Sequence, residues 1–600
     1  IRSTTPDRLA FFVTSRGVTN ETYYAAQKAA RFLGTNNVDN SARLCHSPST
    51  AAMKGAIGVA ASTCSYSDFY KADLIVFFGA NPANDQPVTM KYLHESKAKG
   101  AKVVLVNPFL EPGMERYWVP STPVSALFGT KVTDYWFPVT QGGDIAFLYG
   151  TFKALLEKGW VNREFLNTHT VNFEALEQKA KGLPWELLEK QSGLPEATMR
   201  EFAELLHKSP KAIFVWSMGI TQHVFGADTV SMIVNLGLTQ AYVGREGCGL
   251  MPIRGHSSVQ AGAEMGAYST VFPGGKPVTA ENAKALSATY GFPVPDKPGL
   301  TTVEMVEACA RGELDLLYCI GGNFLGTLPE PDYVRKALAK VPLRVHEDII
   351  LTDQMLVEGE EVILLPAQTR YEQEGGGTET STERRVMFSP EIPRVLGEAR
   401  PEWKILLQVA AAAYPKKAAL LGCRTAQEIR EEIARVIPLY DGIQKLQKTG
   451  DAFQYGGPHL CADGKFQTPD GKAHFKTVVL PDTTRKPGEY DLSTRRGKQF
   501  NSIVWAEVDP LTDAPREAVL MNPEDAGALH LKQGDGVELV NDLGHLSCRV
   551  HLAPLAPGNL QVHWPEGNIL IPRGLVDAGG GVPDYNARVR IEIPAVVGKS

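Results

Sequence analysis

The sequence predicts an α/β fold with a parallel sheet covered on both faces, joined to a separate β-rich, barrel-like domain. Three observations carry this. Short continuous apolar runs alternate with amphipathic helical segments, several of those runs end in a glycine-bearing turn, and the texture beyond residue 480 changes to short strands separated by turns.

The alternation begins at once: a strand over 9–13, a helix over about 20–33, a strand over 74–78, a helix near 88–99 and a strand over 103–106. Strands that are apolar at every position need cover on both faces, which parallel sheets have. A more helical stretch, 145–206, precedes further buried strands at 212–216, 314–319, 343–345 and 362–365. Three strand ends look alike: Phe78-Gly79-Ala80-Asn81-Pro82, Met218-Gly219-Ile220-Thr221-Gln222 and Ile320-Gly321-Gly322-Asn323-Phe324. Open α/β sheets bind ligands at the carboxyl ends of their strands, where glycine lets the backbone approach a phosphate or sugar closely. Any one such turn is also an ordinary strand exit; recurrence on separate strands points to an extended ligand, or to two. Neither G-x-G-x-x-G nor G-x-x-x-x-G-K-[ST] occurs, so a nucleotide here is not held by the usual nicotinamide or P-loop turn. From 481 onward strands are expected at 518–521, 537–540, 546–550, 560–563 and 589–593, with Gln533-Gly534-Asp535-Gly536 and Asp542-Leu543-Gly544 as hairpin turns. That is enough for a barrel of about 120 residues.

At roughly 150 residues per domain, 600 residues amount to about four domain-equivalents and a large core. The net charge of -6 is spread along the chain, which argues against a nucleic-acid or anionic-membrane surface and towards a small partner. The longest apolar runs, such as 74–78 and 406–413, fall far short of the ~20 residues that span a bilayer, so no membrane insertion is expected. Eight cysteines without a C-x-x-C spacing provide neither a zinc ribbon nor an iron–sulfur cluster run, and read as mostly reduced, buried thiols. The sequence opens at Ile1 without a Met, so targeting signals are unreadable; a cytoplasmic location is the expectation.

Several constellations could carry chemistry. Cys45-His46-Ser47-Pro48 precedes a helical segment, 51–61. A helix entrance and a neighbouring imidazolium both favour thiolate, the form that attacks or ligates metal. The alternative is a buried structural thiol beside a satisfied histidine. Arg254 lies among apolar and small residues in Pro252-Ile253-Arg254-Gly255-His256-Ser257-Ser258-Val259-Gln260 and calls for an anion, either a planar carboxylate ligand or a structural Asp or Glu. His223 and His256 are likewise open to a ligand role, with a satisfied core histidine the more frequent case. Gly375-Gly376-Gly377, between Glu374 and Thr378, reads as a wrap for a polar ligand or as a mobile loop, and Glu431-Glu432 between Arg430 and Arg435 as a solvated helix face.

Taken in order, these segments resemble the molybdenum or tungsten oxidoreductases that bind two molybdopterin guanine dinucleotides, most closely the formate dehydrogenase alpha-subunit-like branch. Thr35-Asn36-Asn37-Val38-Asp39 followed by Ala42-Arg43-Leu44-Cys45-His46-Ser47-Pro48 is similar to that branch's metal-ligating loop, and Arg254-Gly255 with Val259-Gln260 to the segment bearing its active-site Arg. Gly79-Ala80-Asn81-Pro82, Asn107-Pro108, Gly142-Gly143-Asp144 and Met218-Gly219-Ile220-Thr221-Gln222 resemble its dinucleotide-contacting turns. Gly321-Gly322-Asn323, Glu347-Asp348, Leu365-Pro366 with Glu374-Gly375, and Thr468-Pro469-Asp470-Gly471-Lys472 continue the match. Ser493-Thr494-Arg495 and Asn522-Pro523-Glu524-Asp525-Ala526 resemble the opening of the cofactor-capping domain, and Asn568 a later pterin contact.

The resemblance implies two doubly wound, Rossmann-like lobes around a bis-dinucleotide cofactor: 1–40 with 257–400, and 41–256 carrying the Cys45 loop. A mostly helical connection, 401–480, and a capping barrel, 481–600, would follow. It implies Cys45 as the metal ligand, His46 as proton acceptor or relay and Arg254 as the holder of a small anionic substrate. The electrons from formate would pass to an external acceptor or redox partner subunit. Two features depart from that branch: its N-terminal four-Cys cluster domain has no counterpart here, so no iron–sulfur cluster is expected in this chain, and His256 stands where Gln is common. A reductase of another small oxidised or anionic substrate, using the same cofactor, is the rival enzyme; a non-catalytic scaffold subunit is the rival from another class.

Overall fold

In the computed structural model, which describes residues 1–255, 257–394, 396–497 and 506–594, the apolar runs form the centres of two five-stranded parallel sheets. One sheet has the order Val38–Asn40, Leu9–Val13, Leu316–Ile320, Leu343–Asp348, Glu361–Pro366, with every neighbouring pair parallel. The other has the order Tyr135–Phe137, Lys102–Val106, Leu74–Phe78, Ala212–Trp216, Gly249–Pro252, again parallel throughout. In chain order the first reads 2-1-3-4-5 and the second 3-2-1-4-5. These are the two common doubly wound arrangements, each with one point at which strand order reverses.

Three of the ten strands escape the apolar-run criterion. Val38–Asn40 carries Asp39 and Asn40, Tyr135–Phe137 is three residues long, and Gly249–Pro252 begins with glycine and ends with proline.

The chain divides into two compact units, Ile1–Cys45 with Arg254–Gly457, and His46–Ile253 with Pro458–Ser600. The stretch 401–480 is shared between them. In the first unit the helices Glu402–Ala413 and Ala426–Val436 bury Trp403, Leu406, Ile429 and Ile433 in the same core as Tyr23, Ala26 and Ala30 of helix Asn20–Phe32. In the second, Leu460, Phe466, Phe475 and Val478 join the core around helix Asp144–Lys158.

The packing of Ala426–Val436 corrects one expectation: its charged run is not a wholly solvated face. Arg430 is buried and pairs with Glu21 at 3.0 Å, and Glu432 pairs with Lys28 at 2.6 Å. Glu21 and Lys28 are themselves buried, and a charge removed from water must find a counter-ion. The glycine run has a packing role as well: a Cβ on Gly376 (φ +70°) would lie 2.6 Å from the Phe388 ring, and one on Gly377 2.6 Å from Thr19.

The C-terminal strands close into a six-stranded barrel within the second unit, in the order Glu489–Arg495, Asn559–His563, Ala518–Met521, Gly544–Leu552, Gly536–Asn541, Asn586–Glu592. Leu492, Val519, Met521, Val537, Leu539, Leu560 and Val562 fill it, alternating with outward residues along the strands. Among the described residues no helix is long and apolar enough to cross a membrane.

Candidate active site

In the second unit, strand order reverses between Leu74–Phe78 and Ala212–Trp216, so a crevice is expected beyond Phe78 and Trp216. Gly79 and Gly219 meet there. The Gly219 N–H donates to the Gly79 carbonyl at 3.0 Å, a Cβ on Gly79 (φ +50°) would lie 2.7 Å from the Gly219 carbonyl carbon, and one on Gly219 would lie 2.6 Å from the Gly79 oxygen. Neither position has room for a side chain. Gly79→Ala is expected to cost about 1–3 kcal/mol through backbone strain and displacement, read as a lower melting temperature of the purified variant.

The cleft beyond these glycines measures about 1070 Å³, part of it open to solvent. Gly79, Asn81, Asn107, Gly142, Asp144, Met218, Gly219, Gln222, Thr494 and Arg495 all line it, brought together from five separate stretches of sequence. Four further candidates of the second unit lie off its wall. Pro82 opens the short helix Pro82–Asp85, Gly143 precedes helix Asp144–Lys158, Thr221 is buried in the turn Met218–Thr221, and Asn568 is buried in the barrel turn Glu566–Leu570. Glu111, Gln141, His223, Arg496, Gln561 and Trp564 also line the cleft. Of these, His223 stands out in the sequence as open to a ligand role and Arg496 adjoins Arg495; nothing in the local sequence marks the other four.

The cleft's polar groups are incompletely satisfied among the described residues. Arg495 is buried and donates through Nη2 to Glu111 at 3.0 Å, with Asp509 at 3.8 Å, but its Nε and Nη1 have no hydrogen-bond partner. The side-chain oxygens of Asn81, Gln141 and Gln561 are likewise buried without one. Burial pushes the Asp144 carboxyl up to about 6 despite the opposing charge of His223, and raises Glu111 despite Arg495. Buried donors left unmade cost about 1–3 kcal/mol each, so a guanidinium in this state points to a ligand with anionic oxygens. The residues present therefore fit a large polar, phosphate-bearing group.

The first unit has the matching feature. Its strand order reverses between Leu9–Val13 and Leu316–Ile320, and Gly321 (φ +64°) and Gly322 (φ +87°) follow the latter. Cβ atoms there would come within 2.7 Å of Thr14 and 2.6 Å of Phe12. Asn323 caps helix Phe324–Thr327 by accepting from the Gly326 N–H at 3.2 Å and donates to Asp353 at 3.0 Å. Asp348 ends its strand, accepts from the Ile349 N–H at 2.7 Å, and is pushed up to about 6 by burial.

Cys45 is half-buried and not disulfide-bonded. It lies in helix Arg43–Ile57, which departs from helical geometry at His46 (φ -119°, ψ 15°) and contains Pro48. The helix thus starts well before the expected residue 51, and Cys45 immediately precedes a kink. Arg43 pairs with buried Asp39 at 3.1 Å, and Asp39 also accepts from the Thr302 N–H and hydroxyl, which fixes the approach to the thiol. Within the same unit Arg254 is buried; its N–H donates to Thr382 Oγ1 at 3.0 Å, and that hydroxyl donates back to the Arg254 carbonyl at 3.1 Å. Burial lowers the guanidinium pKa, and the charges of Glu264 and then Cys45 oppose the shift, so thiol and guanidinium share one electrostatic neighbourhood.

His46 belongs to the second unit and is buried. Its Nε2 faces the Ile253 carbonyl at 3.1 Å, and its Nδ1 faces Ser49 Oγ at 3.0 Å. A carbonyl only accepts, so Nε2 carries a proton, while the Ser49 hydroxyl at Nδ1 also accepts from Trp216 Nε1 at 2.8 Å. The ring is held at both nitrogens. Any proton exchanged at Nδ1 passes by way of the Ser49 hydroxyl it contacts. His256 lies outside the described residues. Among them no group of three or more His, Cys, Asp or Glu is disposed to hold a metal ion.

Two doubly wound sheets with glycine-bearing switch points, one opening on a polar cleft closed by barrel residues, define a dinucleotide-binding α/β protein. Residues 1–412 match the molybdopterin oxidoreductase family model and residues 491–587 the molydopterin dinucleotide binding domain, and the chain belongs to the molybdopterin oxidoreductase family. It is 28% identical over 621 residues to protein YdeP of Escherichia coli, covering 97% of this chain and 80% of that protein. It is 27% identical over 561 residues to the F420-dependent formate dehydrogenase subunit alpha of Methanocaldococcus jannaschii, covering 91% and 79%. Acetylene hydratase from Pelobacter acetylenicus shares the fold, with a TM-score of 0.71 at 16% identity over 98% of this chain and 86% of that one.

Proposed function

We propose that this chain is a molybdenum- or tungsten-dependent oxidoreductase that binds two molybdopterin guanine dinucleotides and oxidises formate, HCOO⁻ → CO₂ + H⁺ + 2e⁻. The observation that carries the reading is the pair of glycine-bearing switch points, one in each sheet, with a polar cleft opening beyond the one in the second unit, where a dinucleotide would lie. The similarity to a formate dehydrogenase subunit supports the choice of substrate.

Bound, the metallated cofactor supplies the two-electron acceptor. Cys45 would contribute a thiolate ligand to the metal, a role for which a half-buried thiol beside a kinked helix is accessible. Arg254 would hold the substrate carboxylate in its planar fork, with its backbone clamped by Thr382. His46 would relay the proton released from formate through the contact between its Nδ1 and the Ser49 hydroxyl. In the cleft, Asn81, Gln141, Arg495 and Gln561 would satisfy their open positions on the cofactor. The electrons would leave for an external acceptor or a redox partner subunit.

Metal and guanine-nucleotide analysis of the purified chain tests this. One molybdenum or tungsten and two guanine nucleotides per chain are expected, with formate reducing an artificial acceptor. A nucleotide-to-metal ratio near zero overturns the cofactor assignment. Full loading without formate turnover, but with reoxidation by another small oxidised anion, overturns the substrate alone.

A further inference from the structure

Within the second unit the barrel carries a loop, 571–585, between the turn Glu566–Leu570 and the strand Asn586–Glu592, and the reaction above does not use it. The loop is closed on itself: the Asp577 N–H donates to the Val582 carbonyl, the Gly581 N–H to the Asp577 carbonyl and the Asp584 N–H to the Leu575 carbonyl, each at 2.8 Å. Buried Asp577 braces it, since one carboxylate oxygen accepts from the Gly580 N–H within the loop and the other from the Ala227 N–H of helix Gly226–Thr239 at 2.9 Å. The far end is tied to the cleft wall. Asp584 accepts from the Val224 N–H at 3.2 Å, and the Gln222 carbonyl accepts from the Tyr585 N–H at 3.2 Å and from Asn586 Nδ2 at 3.0 Å.

The tip of this loop rests on the chain just beyond the thiol. Ser47 Oγ donates to the Gly580 carbonyl at 2.6 Å. A Cβ on Gly580 would lie 2.5 Å from the Pro48 nitrogen and 2.8 Å from the Ser47 carbonyl carbon, and one on Gly579 would lie 2.7 Å from the Ala227 methyl. Pro48 has no N–H, so Gly580 stands against its nitrogen without leaving a donor unmade, where any other residue would present one. The contact falls directly after His46, the residue at which helix Arg43–Ile57 leaves helical geometry, and two residues after Cys45.

We propose that Gly580, braced by Asp577, is a positioning residue for the segment 45–48: it fixes the main chain beyond the kink, and through it the direction in which the thiol and the imidazole are presented. The proposal rests on the reading of Cys45 as metal ligand and His46 as proton relay. Other contacts on the segment act elsewhere, for the Ile253 carbonyl and Ser49 hold the imidazole ring, whereas Gly580 bears on the backbone. The loop is fit to act as an abutment because its own anchors, Ala227 and 222–224, lie outside the segment that it holds. A main-chain shift of about 1 Å at the reacting groups is enough to cost about 10²-fold in rate.

The test uses the full chain and three readouts: reaction of Cys45 with iodoacetamide in the metal-depleted protein, followed by peptide mapping, the paramagnetic resonance spectrum of the half-reduced metal in the loaded protein, and steady-state kinetics. In Gly580→Ala, Cys45 is expected to react at least about 3-fold faster and the metal spectrum to shift, while kcat falls about 10- to 10²-fold with KM for formate changed less than about 3-fold. Ser47→Ala removes the hydrogen bond without adding an atom, and is expected to move every readout the same way by a smaller factor; it carries the test if Gly580→Ala does not fold. Gly244→Ala is the control for lost stability alone. Its Cβ would strike the Cys461 carbonyl oxygen at 2.1 Å, in the connection that leads into the amino end of strand Gly249–Pro252, so it is expected to lower the melting temperature and leave labelling, spectrum and kcat as in the wild type. Wild-type labelling of Cys45 in folded Gly580→Ala and Ser47→Ala overturns the proposal, and so does a change that Gly244→Ala reproduces at equal loss of stability. Altered labelling in a chain that takes up neither molybdenum nor tungsten overturns the metal reading of Cys45 and leaves Gly580 in its role.

Discussion

Cys45→Ala is expected to reduce turnover by at least about 10³-fold and to change the spectrum and retention of the metal, with the melting temperature within a few degrees of wild type. The two halves of that result have different physical origins. Turnover depends on the thiolate because it is the protein's one proposed bond to the metal, and a methyl group cannot replace a sulfur ligand. Stability does not, because the side chain is half-buried and joins none of the hydrophobic clusters, so removing it costs less than the ~1–3 kcal/mol of a core truncation. Cys309 is the internal contrast. Its thiol is buried in a core cluster and pushed up to about 12 by that burial, so it is neither nucleophile nor ligand. Cys309→Ala should therefore lower the melting temperature and leave the metal and the specific activity of the folded enzyme alone. Metal content, thermal melts and turnover measured on both variants check the pair; a Cys45→Ala enzyme with full metal and wild-type turnover would remove Cys45 from the metal's coordination.

The glycine turns of this site were legible in the sequence because they recur at the ends of separate strands. Gly79, Gly219, Gly321 and Gly322 each stand where a Cβ would strike backbone or a packed side chain, and their spacing after apolar runs marks both switch points. The barrel was legible because its short strands are separated by turn residues such as those of 533–536 and 542–544. What local pattern does not show is pairing across long separations. Arg430 sits in a charged run that reads as solvated, and only its partner Glu21, some four hundred residues away, explains its burial. Tyr440 and Tyr455, whose hydroxyls both donate to Glu264, are ordinary residues in sequence, and their convergence is a product of the fold. His46 shows the opposite limit: its neighbour Cys45 suggests chemistry, while Ser49 and the Ile253 carbonyl occupy both of its nitrogens.

Arg254→Lys is expected to reduce kcat/KM for formate by roughly 10²- to 10⁴-fold, about 3–5 kcal/mol of transition-state stabilisation, although the formal charge is kept. The backbone at this position is clamped by Thr382 through groups that the substitution does not alter, so the loop stays in place. What changes is the head group. A guanidinium presents two parallel N–H donors to a carboxylate while a further N–H remains for a neighbour, whereas an ammonium is a point charge on a flexible stem. Arg254→Lys should accordingly lose substrate affinity more than Arg→Lys exchanges at the surface do, and formate added to high concentration should recover only part of the rate. Steady-state kinetics with formate and an artificial acceptor, on enzyme with metal and nucleotide content matched to wild type, decide the matter. Wild-type kcat/KM in Arg254→Lys would mean that the substrate carboxylate is held elsewhere, while the cofactor assignment, which rests on the strand-end glycines and the cleft, would stand.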